Sequence, residues 1–165
     1  MKFSHSRPIL VFTVIIIVLY VLTASPSIAG GDSGELVAEG CILGTAHPPG
    51  YPLFTLITYA LKELGFAITD EVKDNVAYRL NVLSCILTAA AAGLIGLMVQ
   101  MALPVRICKT APSGANAGDE QGRENVLFLG GSIAAMGLFS FSPLIWQYAV
   151  TAEVFPLNTF FAALV

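Results

Sequence analysis

Leu80–Leu103 reads LNVLSCILTAAAAGLIGLMVQMAL, and this stretch decides the fold. It holds no charged side chain over about two dozen residues, enough for a helix to cross a bilayer with some tilt. Within it Ala89 and Gly93, like Ala92 and Gly96, stand four residues apart, so small residues share a helix face that another backbone can approach closely. Arg79 precedes the run, and Pro104 follows it, where the missing N–H and the ring are expected to stop the helix. The whole chain has the same bias. Of its 165 residues 56% are hydrophobic and 12% charged, with a mean hydropathy of +0.78, an apolar excess that calls for lipid. The expectation is an all-α integral membrane protein, a polytopic helical bundle.

Toward the N-terminus, Pro8–Ala24 (PILVFTVIIIVLYVLTA) is a second uncharged run of about 17 residues, near the lower limit for spanning. Lys2 and Arg7 direct the N-terminus to the cytoplasm. A cleaved signal peptide competes with a retained anchor, because Ser27-Ile28-Ala29 before Gly30 resembles a small-residue cleavage site. The length of the run and the apolar stretches that follow favour the anchor. Beyond Leu103, residues 104–125 mix Gly, Ser, Pro and both charge signs and read as a connector. Val126–Trp146 is again uncharged and is expected to span, with Trp146 and Tyr148 suited to the headgroup layer. Three full spans (8–24, 80–103, 126–146) are thus followed by an incomplete fourth (154–165), and the expectation is a truncated N-terminal part of a single larger transmembrane domain.

Leu53–Phe66 is too short in its apolar part to span. Leu53, Leu56, Ile57, Ala60, Leu61 and Leu64 form one stripe, opposite Lys62 and Glu63, so a helix lying in the interface is expected. Residues 25–79 then form one non-cytoplasmic loop containing two interfacial helices, 104–125 a cytoplasmic loop, and 147–153 returns to the first side. The basic residues agree only weakly: Arg106, Lys109 and Arg123 fall inside, while Lys62, Lys73 and Arg79 fall outside among more numerous acids.

A net charge of −3 offers no basic footprint for a phosphate backbone, which excludes nucleic-acid binding. Cys41, Cys85 and Cys108 fall in three topological zones, without metal-type spacing or a disulfide framework. The chemistry concentrates in Gly30-Gly-Asp-Ser-Gly-Glu-Leu-Val-Ala-Glu-Gly40 and Thr45-Ala-His-Pro-Pro-Gly-Tyr-Pro52. Asp32 admits two readings. With Glu35 three residues on it has the pattern of a helix N-cap, Asp32 capping and Glu35 reaching back; as a free carboxylate it can take a proton from a hydroxyl nucleophile. Asp32, Glu35 and Glu39 follow i, i+3, i+7 spacing and share a ridge with His47 nearby, but such ridges are more commonly solvated faces and no metal is expected. The prolines of HPPGYP leave it little conformational freedom, so it suits a cavity wall, with Tyr51 turned to substrate. Glu153 is an acid placed just before an apolar run, which suggests either function or a favourable first-turn charge. Arg79 is placed either to pair with a phosphate or to anchor at the headgroups. Gly31-Asp-Ser-Gly34 copies a serine-protease nucleophile loop, but no β-rich body or credible triad accompanies it.

GGDSGELVAEGCILGTAHPPGYPLF, together with AVTAEVFPLN at Ala149–Asn158, resembles the N-terminal region of the transmembrane protein 260 family of protein O-mannosyltransferases. The resemblance covers nearly the whole chain, which would correspond to about the first quarter of a full-length member. It implies a multi-pass enzyme of the endoplasmic reticulum membrane, of the multi-spanning glycosyltransferase type. Mannose would pass from dolichyl-phosphate-mannose to Ser or Thr of secretory-pathway ectodomains such as plexin-type receptors. The lipid-linked donor is a substrate, and no cofactor is implied. By the motif match Asp32 is similar to the acidic residue such enzymes place in the first luminal loop as general base, with Glu35, His47, Tyr51, Arg79 and Glu153 as candidates for holding substrate. The competing class is a non-catalytic polytopic protein, a transporter fragment or assembly subunit, in which the acidic loop is structural.

Overall fold

The computed structural model describes residues 6–64, 75–107 and 117–165. Among these the chain is all helix: α1 (Ser6–Thr23), α2 (Ser33–Ile42), α3 (Pro52–Glu63), α4 (Val76–Ile107), α5 (Ala117–Ser140), α6 (Pro143–Ala149) and α7 (Val154–Leu164). Lys2, Lys73, Cys108 and Lys109, which entered the charge and cysteine readings, lie outside the described residues.

The stretch 80–103 lies in α4, around which the other helices pack: α1, α5 and α7 lie against it, and α2 pairs with α3 at one end. The small-residue face works as the spacing predicts. Ala89 and Ala92 are fully buried, a Cβ on Gly93 would meet Thr13 Oγ1 of α1 at 2.8 Å, and one on Gly96 would meet Met136 Sδ of α5 at 2.6 Å. Those distances are below normal carbon contact, so the absence of a side chain lets two helices close on α4 at once. Ile9, Ile16 and Tyr20 of α1 and Met136 of α5 complete this core. A second core, near the loop helices, joins Leu36, Val37, Phe54, Ala77, Leu80 and Ala152.

Two expected boundaries move. α4 starts at Val76, where Asn75 Oδ1 accepts the Tyr78 N–H at 3.0 Å, and it runs on past Pro104 to Ile107. A proline in the last turn forfeits one backbone hydrogen bond, which a long helix absorbs. α5 begins at Ala117, ahead of Val126, so the expected connector 104–125 is helical at both ends.

Span three is corrected more substantially. Val126–Trp146 is not one helix: Val126–Ser140 and Pro143–Ala149 meet at 70°. Pro143 has no N–H for the Phe139 carbonyl, which instead accepts the Ser142 N–H at 3.3 Å, and the Tyr20 hydroxyl donates to the Ser140 carbonyl at 2.8 Å. Proline opens the helix, and Tyr20 satisfies the Ser140 carbonyl at the break. One helix, Val76–Ala102, is long and apolar enough to cross a membrane, and the bent pair meets the same test only when taken together. The apolar part of α1, Arg7–Thr23, extends about 25 Å at 1.5 Å per residue, short of a hydrocarbon core of about 30 Å.

α3 forms as expected but buries a different face. Phe54, Thr55 and Thr58 are inside, while Leu53, Leu56 and Leu64 of the anticipated stripe are exposed. Gly40 of α2 is the cause: a Cβ there would overlap the Thr58 side chain, so the glycine admits threonine into a close helix crossing. The leucines are left facing outward, like Leu10, Val14 and Val18 on α1 and Phe161 and Leu164 on α7. So extensive an apolar exterior calls for lipid or further protein around this unit.

Candidate functional site

The segment between α1 and α2 is held from three sides. Ser25 N–H donates to the Val150 carbonyl at 3.0 Å, Asn75 Nδ2 to the Pro26 carbonyl at 2.7 Å, and Asn81 Nδ2 to the Ser25 and Ser27 carbonyls at 2.7 and 3.0 Å. Asn81 is fully buried in α4, and these bonds satisfy its amide nitrogen there. They pin the chain just ahead of Gly30 and Gly31 and so place the start of α2. Gly31 has φ +75°, a left-handed conformation that suits glycine and turns the chain into the helix.

Asp32 is the residue that begins α2, but its carboxylate makes no capping hydrogen bond. Its side chain is 63% exposed, and Oδ2 lies 3.8 Å from His47 Nε2. Glu35 does not reach back to the helix start either. Its carboxylate accepts the His47 backbone N–H at 2.6 Å and meets His47 Nδ1 at 3.1 Å, a two-pronged grip that fixes both backbone and ring. The backbone donor, then the ring, hold the Glu35 carboxyl below the usual carboxylate range. With Nδ1 turned to Glu35, Nε2 is the ring atom presented to Asp32. The Asp32–His47–Glu35 row is therefore a carboxylate, an imidazole and a second carboxylate that orients the imidazole.

The loop carrying His47 closes in a hydrogen-bonded turn. Gly50 N–H donates to the His47 carbonyl at 2.9 Å, and Gly50 and Tyr51 take φ +92° and +44° before Pro52 opens α3. Tyr51 packs edge-on against the His47 ring, centroids 5.5 Å apart. Glu39, the third acid of the ridge, folds over Gly44 and away from Asp32. No group of three metal-binding side chains occurs among the described residues.

Asp32 opens onto a cavity of about 400 Å³ whose near wall is Ala29, Gly30 and Gly31, and whose far wall is Gln147, Tyr148, Thr151, Glu153 and Phe155 from the α6–α7 junction. Glu153 is 8% exposed and begins α7 without making a capping bond. Burial, then the charge of Asp32, raise its carboxyl above the usual range, and His47 opposes this. Beside this cavity runs an apolar groove of about 420 Å³, formed by Tyr51, Pro52, Leu53 and Phe54 of the α3 start and Val154, Phe155, Leu157, Asn158 and Phe161 of α7. Phe155 lines both, so the polar cavity and the apolar groove adjoin.

Asp32, Glu35, His47 and Tyr51 thus form one connected group, with Glu153 across the cavity from Asp32. Arg79 is elsewhere: it is buried, donates from Nη1 to the Leu61 carbonyl near the end of α3 at 3.0 Å, and does not line the cavity. Sequence reasoning missed Gln147, Thr151 and Phe155. The signal available for Gln147 and Thr151 was the expected return of 147–153 to the side of the first loop, which was used for Glu153 alone.

No solved structure matches this chain. The family model described as "Protein O-mannosyl-transferase TMEM260 N-terminal domain" matches residues 32–165, beginning at Asp32. A Mus musculus protein named Protein O-mannosyl-transferase TMEM260 is 40% identical over 146 residues, 88% of this chain and 17% of that protein. A Dictyostelium discoideum protein of the same name is 32% identical over 147 residues, 89% of this chain and 15% of the relative. The chain therefore spans less than a fifth of the length of these curated relatives. The family match extends from Asp32 at the start of α2 to Val165 just after α7, through every wall of the cavity except Ala29, Gly30 and Gly31, and on that evidence the chain belongs to the TMEM260 family of protein O-mannosyl-transferases.

Proposed function

We propose that this chain supplies the acceptor-activating side of a protein O-mannosyltransferase that uses dolichyl-phosphate-mannose in the endoplasmic reticulum membrane. Asp32 is the base in this reading. It takes the proton of an acceptor Ser or Thr hydroxyl as the hydroxyl oxygen bonds to the anomeric carbon of mannose. The bond from that carbon to the phosphate oxygen breaks, and its electron pair leaves with the lipid phosphate. A hydroxyl is a weak nucleophile, and a positioned carboxylate contributes about 10²–10⁴-fold to such a step. Phosphate is a good enough leaving group for one base to suffice.

The observation that carries the proposal is the free Asp32 carboxylate, uncapped at the head of α2 and open to the cavity. Glu35 and His47 then act as positioning residues rather than direct substrate contacts, since the Glu35 oxygens are both taken by His47. The adjoining apolar groove, which Tyr51 lines, suits the lipid chain of the donor, and Phe155, shared by groove and cavity, falls in this reading where lipid gives way to sugar phosphate. Secretory-pathway ectodomains, plexin-type receptors among them, are the proposed acceptors, presented from the luminal side.

The test is mannose transfer by the full-length mouse relative carrying this 165-residue sequence in place of its own matching segment. Asp32→Asn should lower kcat by about 10²–10⁴-fold with the protein correctly inserted. Undiminished turnover in a folded Asp32→Asn protein removes Asp32 as the base.

A further inference from the structure

Glu153 is 8% exposed, begins α7 without a capping bond, and takes no hydrogen bond from any described residue. Its carboxyl faces the cavity with no protein partner, a setting that favours the neutral form or a ligand. No Lys or Arg lines its cavity, and the His47 ring is turned to Asp32 and Glu35. Glu153 Oε1 lies against Gly31, where a Cβ would be 3.7 Å away, and the cavity it lines contains Asp32. The charged and titratable groups that face it are Asp32 from the α2 start and His47 from the following loop, with Tyr148 from α6 in the same cavity wall. On α4, which packs against α7, the Arg79 guanidinium is turned to the Leu61 carbonyl.

Resting on the glycosyl-transfer reading above, we propose that Glu153 binds the phosphate of the lipid-linked donor as a neutral acid, its O–H donating to a phosphoryl oxygen. Two ionised carboxylates facing one cavity would repel a phosphodiester anion. One ionised and one neutral carboxyl divide the work: Asp32 accepts a proton, and Glu153 offers one in a hydrogen bond. The Glu153 donor faces the oxygens on which negative charge grows as the sugar departs, so its bond strengthens as the reaction proceeds. Burial and the Asp32 charge favour the neutral form and His47 opposes it, in a cavity that no Lys or Arg lines. The groove that meets the cavity at Phe155 commits the ligand to a phosphodiester on a polyprenyl chain.

Binding of polyprenyl methyl phosphate, which keeps a single charge throughout, tests this with the chain in phosphatidylcholine nanodiscs from about pH 5 to about pH 9. The wild-type affinity should fall by about 10- to 100-fold as Glu153 ionises with rising pH. Glu153→Gln, neutral and still a donor, should bind at high pH as the wild type does at low pH. Asp32→Asn removes the neighbouring charge and should move the wild-type midpoint to lower pH. A Glu153→Gln profile that falls like the wild type takes the titration away from Glu153 and overturns the proposal. Equal displacement of the probe by phosphatidylglycerol means the site reads ordinary headgroups and also overturns it. Absence of saturable binding to the wild type at every pH instead sinks the lipid-donor reading itself, a result distinguishable from failure of the Glu153 assignment alone.

Discussion

At the residue scale, one side chain decides which acid is free to react. Glu35 sits in the first turn of α2, where the capping pattern would have it serve the helix, yet a backbone N–H and a ring nitrogen of His47 draw it away. Two donors on one carboxylate outweigh the single backbone donor a capping box offers. The consequence is that Asp32 keeps its lone pairs and His47 keeps its orientation. Because the folded state holds Glu35 below the usual range, the grip stabilises the protein above the unfolded carboxyl pKa of about 4.3 and is lost as pH falls through the lowered folded value. Glu35→Gln abolishes that titration, so the acid-side drop in melting temperature should become shallower, as read by scanning fluorimetry between about pH 5 and about pH 3. An unchanged acid limb would show that Glu35 is not held by His47 in solution.

At the element scale, the break between α5 and α6 positions the far wall of the site. A straight helix through Trp146 would carry Gln147 and Tyr148 away along the α5 axis; the 70° bend instead turns α6 across the bundle toward the α2 start. Pro143 makes the break, and Tyr20 of α1 secures it by donating to the Ser140 carbonyl and packing edge-on to Trp146 at 5.0 Å. Tyr20→Phe keeps the ring contact but leaves that buried carbonyl without its donor, a cost of about 1–3 kcal/mol. Unfolding of the purified protein in mild detergent should register that loss. A Tyr20→Phe protein as stable as the wild type would mean that the bend stands without the hydroxyl.

At the scale of the whole molecule, the cavity joins two stretches separated in sequence by α2, α3, α4 and α5, which requires residues 29–32 and 147–155 to share one side of the membrane. Single cysteines at Ile42 and Gln147, introduced in a background without the native cysteines, should both react with an impermeant maleimide from the same side of the membrane. Labelling from opposite sides would rule out the common compartment and, with it, the joint use of Asp32 and Glu153. The apolar exterior of α1 and α7 sets the limits of the unit: its outer leucines and phenylalanines need lipid or neighbouring helices, in keeping with a chain that covers less than a fifth of its relatives.

Helix content, the long apolar helix α4 with its small-residue face, the two helices α2 and α3 and the cluster around Asp32 were all legible in the amino-acid order. Each follows from local quantities: runs without charge, four-residue spacing, and acids packed among glycines and prolines. Tertiary structure alone decided the bend at Pro143, the face that α3 buries, the transfer of Glu35 from helix cap to His47, and the use of Arg79 on the Leu61 carbonyl. These are choices between partners that the sequence offers on equal terms. A carboxylate or carbonyl binds whichever donor the packing brings within about 3 Å. That proximity is set by how closely helices approach at Gly40, Gly93 and Gly96, a property of pairs of elements that no single stretch contains.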